Sequence, residues 1–189
     1  MRIISGLNKG KKLIMPNDKT TRPLKDMAKE SIFNILTHAN FINFHLKDSK
    51  VLDLFSGIGS FGLECISRGS KFVFFLENYP PVLEILKNNI TNLKYENKSK
   101  VINIDAFKIN KDTFKIDQKF QIIFCDPPYK EKKIEVLIKK IIEMDILEKS
   151  GIIIIHRKKG DLDNYPKKFK VIDTKSYGLS TFVFGKKSS

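Results

Sequence analysis

The sequence is poor in the features that build disulfide-stabilised or membrane proteins. Its two cysteines, Cys65 and Cys125, stand in apolar stretches and form no spaced framework, so neither a disulfide scaffold nor a cysteine-based metal site is expected. No apolar run approaches the roughly 20 residues that span a bilayer, and the opening residues turn polar too early for a signal peptide. We therefore expect a cytosolic protein with no membrane segment, no metal and two buried thiols.

Acidic residues are scarce relative to basic ones. Against 35 Lys and Arg stand 21 Asp and Glu, which gives a formal net charge of +14. The excess lies mainly at the two ends, with net +5 over residues 1–30 and net +6 over residues 157–189. Such a surplus favours a polyanionic partner, above all a nucleic acid. Only four of the basic residues are Arg, however, and a Lys-rich surface also arises from biased coding.

The first 40 residues differ in pattern from the rest of the chain. Short apolar segments at residues 2–5 and 12–15 flank a Gly/Asn/Lys turn at 6–11, which predicts a small hairpin. Apolar residues then recur at helical spacing from Met27 to Leu36. We expect residues 1–40 to form a basic hairpin with an amphipathic helix, and residues 41–189 to form the main domain.

Within 41–189, apolar strands alternate with helical segments. Because the strands are nearly unbroken apolar runs, we expect a parallel sheet buried on both faces, which is a doubly wound α/β fold. Two final β-rich segments predict an antiparallel hairpin at the end of the sheet. The predicted strands are 51–55, 72–76, 101–104, 122–125, 151–155, 169–174 and 181–184, and the predicted helices are 61–67, a short one near 106, 82–92 and 134–144.

A glycine loop follows the first predicted strand. Gly57, Gly59 and Gly62 have GxGxxG spacing, and Glu77 ends the second strand, which suits an adenosine-containing cofactor whose ribose hydroxyls bind a carboxylate. Asp53 would repel a pyrophosphate by roughly 4 kcal/mol at about 4 Å but attract a cation. This favours S-adenosyl-L-methionine over NAD or FAD, and a tight turn without ligand is the third possibility.

The third predicted strand is followed by Asp105 and Ala106. Ligands of such sheets collect beyond the carboxyl ends of the strands, so Asp105 could accept a hydrogen bond from an adenine amino group. It could equally cap the helix that follows, and the two roles are compatible.

The fourth predicted strand runs into Asp126, Pro127, Pro128 and Tyr129. The two prolines fix a rigid turn and remove two backbone donors, which leaves acceptors for an amino group. Tyr129 offers an aromatic plane on which a base can stack. A planar exocyclic amine would be held there facing a methyl donor, and Asp126 would stabilise or take its proton.

Taken together, these motifs resemble the class I S-adenosylmethionine-dependent amino-methyltransferases. The opening of the chain adds a second set of residues, namely Arg2, Ile3, Ile4, Gly6, Gly10, Arg22, Pro23, Glu30, Phe33 and Asn34. With these residues the chain resembles, along essentially the whole sequence, the RsmD family of bacterial 16S rRNA guanine methyltransferases. A Tyr177-Gly178 pair before the last strand also fits.

The resemblance implies methylation of the 2-amino group of one guanine in small-subunit rRNA, as naked rRNA or as a ribosomal particle, by a monomer. It implies catalytic roles for Asp126, Pro127, Pro128 and Tyr129. The expected cofactor contacts are Asp53, Phe55, Gly57, Gly59, Glu77, Asn78, Asp105 and Ala106, and the expected RNA contacts are Lys9, Lys11, Lys12, Arg22 and Lys25.

Two positions depart from the family pattern. His156 stands at the end of the fifth strand where members commonly have an acid, and we expect it to face solvent. Leu24 and Lys25 replace a typical small or hydroxyl pair. The alternatives that remain are an amino-methyltransferase acting on another RNA, DNA adenine or protein glutamine, and a basic RNA-binding scaffold without activity. The lack of a separate DNA-reading domain disfavours DNA, and the filled ligand positions disfavour the scaffold.

Overall fold

The computed structural model describes residues 1–16, 26–128, 131, 133–161 and 163–188. Within them, strands alternate with helices as predicted. The helices are α1 (Asp26–His38), α2 (Ser60–Ser67), α3 (Pro80–Asn92) and α4 (Ile134–Glu143). The strands are β1 (Lys50–Asp53), β2 (Phe72–Leu76), β3 (Ser99–Ile102), β4 (Phe120–Cys125), β5 (Leu147–Lys158), β6 (Phe169–Tyr177) and β7 (Ser180–Lys187). Short 3-10 helices cover Glu96–Lys98, Ala106–Lys108 and Lys111–Thr113.

The strands form a seven-stranded sheet in the order β3-β2-β1-β4-β5-β7-β6. The first five are parallel, whereas β7 runs antiparallel to both β5 and β6. This confirms the doubly wound α/β sheet with an antiparallel C-terminal hairpin. The strand order reverses between β1 and β4, and ligands of such sheets bind at the carboxyl ends of the strands beside this switch point.

A hydrophobic core covers each face of the sheet. On one face α1, α2 and α3 pack over side chains such as Val51, Phe124 and Ile154. On the other face α4 packs over the alternate residues, including Leu52, Ile123 and Ile155. The strands are apolar on both sides because both sides are buried, which is why they read as unbroken apolar runs.

The N-terminal segment lies on the first of these cores. Arg2 and Lys12 form an isolated antiparallel bridge, and Ile3 and Leu13 beside them are buried with the side chains of α1 and the sheet. The hairpin is therefore a short one whose apolar residues complete the main core. The division at residue 40 stays a prediction.

The structure also bears on the two cysteines and on the expectation about membrane segments. Cys65 and Cys125 are free and buried, and burial raises the pKa of both thiols. In the part of the chain that the structure describes, no helix combines the length and apolar character needed to cross a membrane.

Candidate active site

Four carboxylates follow the first four strands at one edge of the sheet. Asp53 is the last residue of β1, Glu77 follows β2, Asp105 comes shortly after β3, and Asp126 follows β4. Parallel strands bring their carboxyl ends to the same edge, so the alternation of strand and helix alone gathers these side chains.

The glycine loop between β1 and α2 uses the backbone freedom of two of its glycines. Gly57 and Gly59 have φ of 53° and 88°, in the left-handed region that favours glycine. A Cβ on Gly57 would meet nothing within 4 Å, whereas one on Gly59 would lie 2.6 Å from Leu86 Cδ1. Gly62 serves packing, because a Cβ there would lie 2.3 Å from Phe75 Cε1. The loop thus has open space beside the Gly57 backbone, whereas side chains pack closely against the Gly59 backbone.

Glu77 holds this loop in place. Its Oε2 accepts a hydrogen bond from the Gly57 N–H at 2.8 Å. Its Oε1 accepts from the N–H groups of Asn78 and Tyr79, at 2.9 and 2.8 Å. A carboxylate has about four acceptor sites, so room remains for about one further hydrogen bond from a ligand.

Asp53 is buried, and only one of its two oxygens has a partner among the described residues. Oδ2 accepts from the Gly62 N–H at 3.1 Å, while Oδ1 has no hydrogen-bond partner there. Burial raises the pKa of Asp53 to about 8, helped by the Asp126 and Glu77 charges and opposed by the Gly62 hydrogen bond. At pH 7 the Asp53 carboxyl group is therefore mostly protonated in the free protein. Asp53 then repels a pyrophosphate less strongly than a fully ionised carboxylate would.

The remaining expected cofactor residues lie around the same edge. Asp105 Oδ1 accepts a hydrogen bond from the Phe107 N–H at 2.9 Å and so caps the 3-10 helix that begins at Ala106. This confirms the capping role, which is one of the two roles predicted for Asp105. Ala106 is buried. Phe55 is half-buried and lies 5.5 Å from the Phe107 ring, and Asn78 is exposed. Contact of these residues with a cofactor stays a prediction.

Asp126 is paired with His156, the residue that we expected to face solvent. That expectation is wrong: His156 is buried, and its Nδ1 lies 2.7 Å from Asp126 Oδ1. The cause is strand register, because Cys125 of β4 is aligned with Ile155 of β5 and the next residues of the two strands stand side by side. Asp126 itself keeps 23% of its side chain exposed, so the pair reaches the surface through the carboxylate.

The turn after Asp126 contains a buried proline followed by an exposed one, Pro127 and Pro128. Tyr129, for which a stacking role is predicted, lies outside the described residues. Glu131 is bonded back to this turn: its N–H donates to the Pro128 carbonyl at 2.8 Å, and its carbonyl accepts from Arg157 Nη2 at 3.0 Å.

Arg157 is a site residue that sequence reasoning missed. It is buried on β5, and its guanidinium binds the Asp163 carboxylate through Nε at 2.7 Å and Nη2 at 3.0 Å. Through these bonds and its bond to the Glu131 carbonyl, Arg157 joins Asp163 to Glu131. The sequence could have drawn attention to Arg157, because arginine is rare in this chain, with four in total, and because Arg157 directly follows His156.

The expected RNA-binding residues of the hairpin are only partly described. Lys9, Lys11 and Lys12 are exposed, whereas Arg22 and Lys25 fall in the stretch 17–25, outside the described residues. The turn that carries Lys9 is held at the end of α2, because the Leu7 N–H donates to the Ser67 carbonyl at 2.8 Å. The turn with Lys9 therefore lies at the carboxyl end of α2, whereas Ile14, two residues after Lys12, bonds to Asn89, which also bonds to the Ile58 carbonyl of the glycine loop.

The fold and the residues at this sheet edge define a Rossmann-like methyltransferase. A crystal structure from Haemophilus influenzae, described as a "putative methylase", has a TM-score of 0.78 and 29% identity to this chain, covering 100% of this chain and 98% of its own.

The chain belongs to the RsmD family of methyltransferases. The family description "Conserved hypothetical protein 95" matches residues 1–186. The Bacillus subtilis protein "Putative rRNA methyltransferase YlbH" is 33% identical over 188 residues, covering 99% of each chain. "Ribosomal RNA small subunit methyltransferase D" of Haemophilus influenzae is 31% identical over 183 residues, covering 96% of this chain and 91% of its own.

Proposed function

We propose that this protein transfers a methyl group from S-adenosyl-L-methionine to the exocyclic 2-amino group of a guanine in small-subunit rRNA. The observation that carries the proposal is the Asp126 carboxylate, held by His156 beside the glycine loop. It stands in a chain whose full-length relatives are named as rRNA methyltransferases. A carboxylate at this place suits an amine substrate, because it can accept the amine's hydrogens and stabilise positive charge on its nitrogen.

The residues at the sheet edge fit S-adenosylmethionine. Asp53 Oδ1, which is buried and has no hydrogen-bond partner within the described part of the chain, provides an acceptor for a cationic group. Glu77 retains capacity for about one ribose hydroxyl, and the open space at Gly57 allows close approach of a ligand to the backbone. Asp105, Ala106, Phe55 and Asn78 would surround the adenosine. When bound, the cofactor supplies an electrophilic methyl group.

A pH dependence of cofactor binding follows from the pKa of Asp53. Below its pKa of about 8 the free carboxyl group is protonated, and pairing with a cation requires that it ionise. Affinity for S-adenosylmethionine should therefore rise with pH, by at most about tenfold per unit, and level off above about pH 8. Calorimetric titrations from acid to alkaline pH check this.

The matched control is Asp53→Asn, which cannot ionise. The cofactor's own amino group titrates equally in both proteins, so the difference between them isolates Asp53. Parallel pH profiles for the two proteins would show that Asp53 does not pair with the cofactor's charge.

In the reaction, the protein has to align the guanine nitrogen with the methyl group and exclude water. Asp126 would accept a hydrogen bond from the 2-amino group and stabilise the charge that develops on the nitrogen, then take or relay its proton. Pro127 and Pro128 would fix the turn so that the Pro127 carbonyl also faces the amine, whereas the Pro128 carbonyl already accepts a hydrogen bond from the Glu131 N–H. Tyr129 would stack on the base.

The exposed lysines of the hairpin would contact RNA phosphates. Changing Lys9, Lys11 and Lys12 to Gln should weaken rRNA binding and flatten the slope of log affinity against log salt by roughly two units, at about 0.7 to 0.9 for each lost contact. Filter binding at several salt concentrations measures both quantities. Cofactor affinity should stay unchanged.

A second triple variant separates specific contacts from general basicity. Lys111, Lys115 and Lys139 are also exposed but belong to segments that pack on the opposite face of the sheet, beside Phe114 and α4, and their change to Gln removes the same charge. If both triple variants lose affinity equally, or if the hairpin variant keeps the wild-type slope, RNA recognition does not depend on the hairpin.

The proposed function is tested by incubating purified protein with methyl-labelled S-adenosylmethionine and either naked 16S rRNA or small-subunit particles lacking the modification. The RNA is then digested to nucleosides. Label in N2-methylguanosine supports the proposal, and the two substrates show which form is used. Label in another nucleoside, or in glutamine of the particle's proteins, would replace the proposed substrate, and a parallel incubation with DNA tests methylation of adenine.

A further inference from the structure

We propose that His156 is a positioning residue for methyl transfer, which acts by donating a hydrogen bond from its Nδ1 to Asp126 and so fixes the orientation of that carboxylate. This inference rests on the proposed function for its kinetic consequence. The pairing itself is a property of the protein that can be measured without catalysis.

The geometry places both residues on one face of the sheet at its carboxyl edge. Their strands are in register at Cys125 and Ile155, and Nδ1 and Oδ1 are 2.7 Å apart. The imidazole lies on the Phe182 ring, with centroids 4.5 Å apart and planes inclined by 16°. Phe182 is fully buried, so it provides a fixed surface that sets the plane of the imidazole.

The burial of the two side chains differs in a way that suits this role. His156 is 7% exposed, whereas Asp126 is 23% exposed. The imidazole therefore lies on the inner side of the pair and the carboxylate on the outer side, where a substrate arrives. A substrate amine would meet Asp126 first, and His156 would act on it only through the carboxylate.

The protonation of the ring follows from the chemistry of its partner. An ionised carboxylate can only accept hydrogen bonds, so Nδ1 must carry a proton when Asp126 is charged. With Oδ1 held by the ring, rotation of the carboxylate is restrained, and the amine would use the remaining acceptor sites. A group held in the productive orientation loses less entropy in the transition state than one that rotates freely.

The kinetic test uses three substitutions that differ in where they carry a donor. His156→Phe keeps an aromatic ring on Phe182 but has no donor. In His156→Asn the amide nitrogen is as many bonds from Cβ as Nδ1, whereas in His156→Gln it is one bond farther. His45→Phe is the matched control, because His45 is exposed and precedes the amino end of β1, whereas the site lies at the carboxyl ends of the strands.

We expect His156→Phe to lower kcat by roughly 10- to 100-fold, the size expected for losing a hydrogen bond to a charged group, with cofactor affinity and KM for RNA little changed. His156→Asn should recover most of the loss, His156→Gln should not, and His45→Phe should behave as wild type. Wild-type kcat in His156→Phe, or equal losses in His156→Phe and His156→Asn, would overturn the proposal.

A second measurement does not depend on activity or on the variants of His156 folding. The nitrogen chemical shifts of the His156 ring, recorded at about pH 8.5 where an ordinary His is neutral, report which nitrogen is protonated. We expect Nδ1 to be protonated in the wild-type protein and to lose that proton to Nε2 in Asp126→Ala. An unprotonated Nδ1 in the wild type would overturn the pairing. If the wild type methylates no RNA while Nδ1 is protonated, the proposed function fails and the pairing stands.

Discussion

Replacing Asp126 by Ala should lower the rate of methyl transfer by about 100- to 1,000-fold, the usual effect of removing a group that stabilises transition-state charge. Asp126→Asn should retain more activity, because its amide oxygen still accepts a hydrogen bond. The measurement is single-turnover transfer to rRNA with cofactor and RNA both saturating.

Cofactor affinity provides the control for this variant. It should stay within a few fold of wild type, since Asp53 and Glu77 keep their own contacts. Wild-type turnover by Asp126→Ala at saturation would remove Asp126 from the reaction.

Replacing Glu64 by Ala should destabilise the protein by about 3 to 5 kcal/mol, the effect of leaving one partner of a buried ion pair without its counter-charge. Glu64 and Lys29 both have fully buried side chains, and Lys29 Nζ lies 3.3 Å from Glu64 Oε2. Burial lowers the pKa of Lys29, and the Glu64 charge opposes this shift. Without Glu64 the lysine would have to lose its proton or its buried position.

The same carboxylate also fastens the N-terminal segment to α2. It accepts hydrogen bonds from the N–H groups of Ile4 and Ser5, at 2.8 and 2.9 Å, and from Arg68 Nε at 2.8 Å. Urea unfolding measures the stability loss, and amide exchange at residues 4 and 5 shows whether the hairpin detaches first. Glu84→Ala, at an exposed position of α3, should change stability by no more than about 0.5 kcal/mol. Equal stability losses in the two variants would contradict the assignment.

The sheet could be predicted from the sequence because burial on both faces leaves strands as apolar runs. Phe72–Leu76 agrees with its predicted bounds, but β5 extends from Leu147 to Lys158, beyond the predicted 151–155. The carboxyl end of β5, residues 156–158, is polar and continues the strand because its backbone pairing with β7 requires no apolar side chain. In contrast, β3 ends at Ile102, two residues before its predicted end.

The sheet edge could be predicted in outline, since a carboxylate follows each of the first four strands. The pairing of His156 with Asp126 depends on the register of two strands, which apolar patterning does not specify. The burial of Lys29 could not be predicted from the sequence either, because a lysine on an amphipathic helix is ordinarily expected to face solvent. It is buried here because Glu64, on a different helix, supplies its counter-charge.

The central claim is that this protein methylates a guanine of small-subunit rRNA at its 2-amino group. The most direct test compares the modified nucleosides of small-subunit rRNA from cells that lack the gene, cells in which it is restored, and cells that carry Asp126→Ala. We predict that one N2-methylguanosine is lost with the gene, returns with the wild-type protein and does not return with the variant. An unchanged N2-methylguanosine content in the cells that lack the gene would contradict the claim.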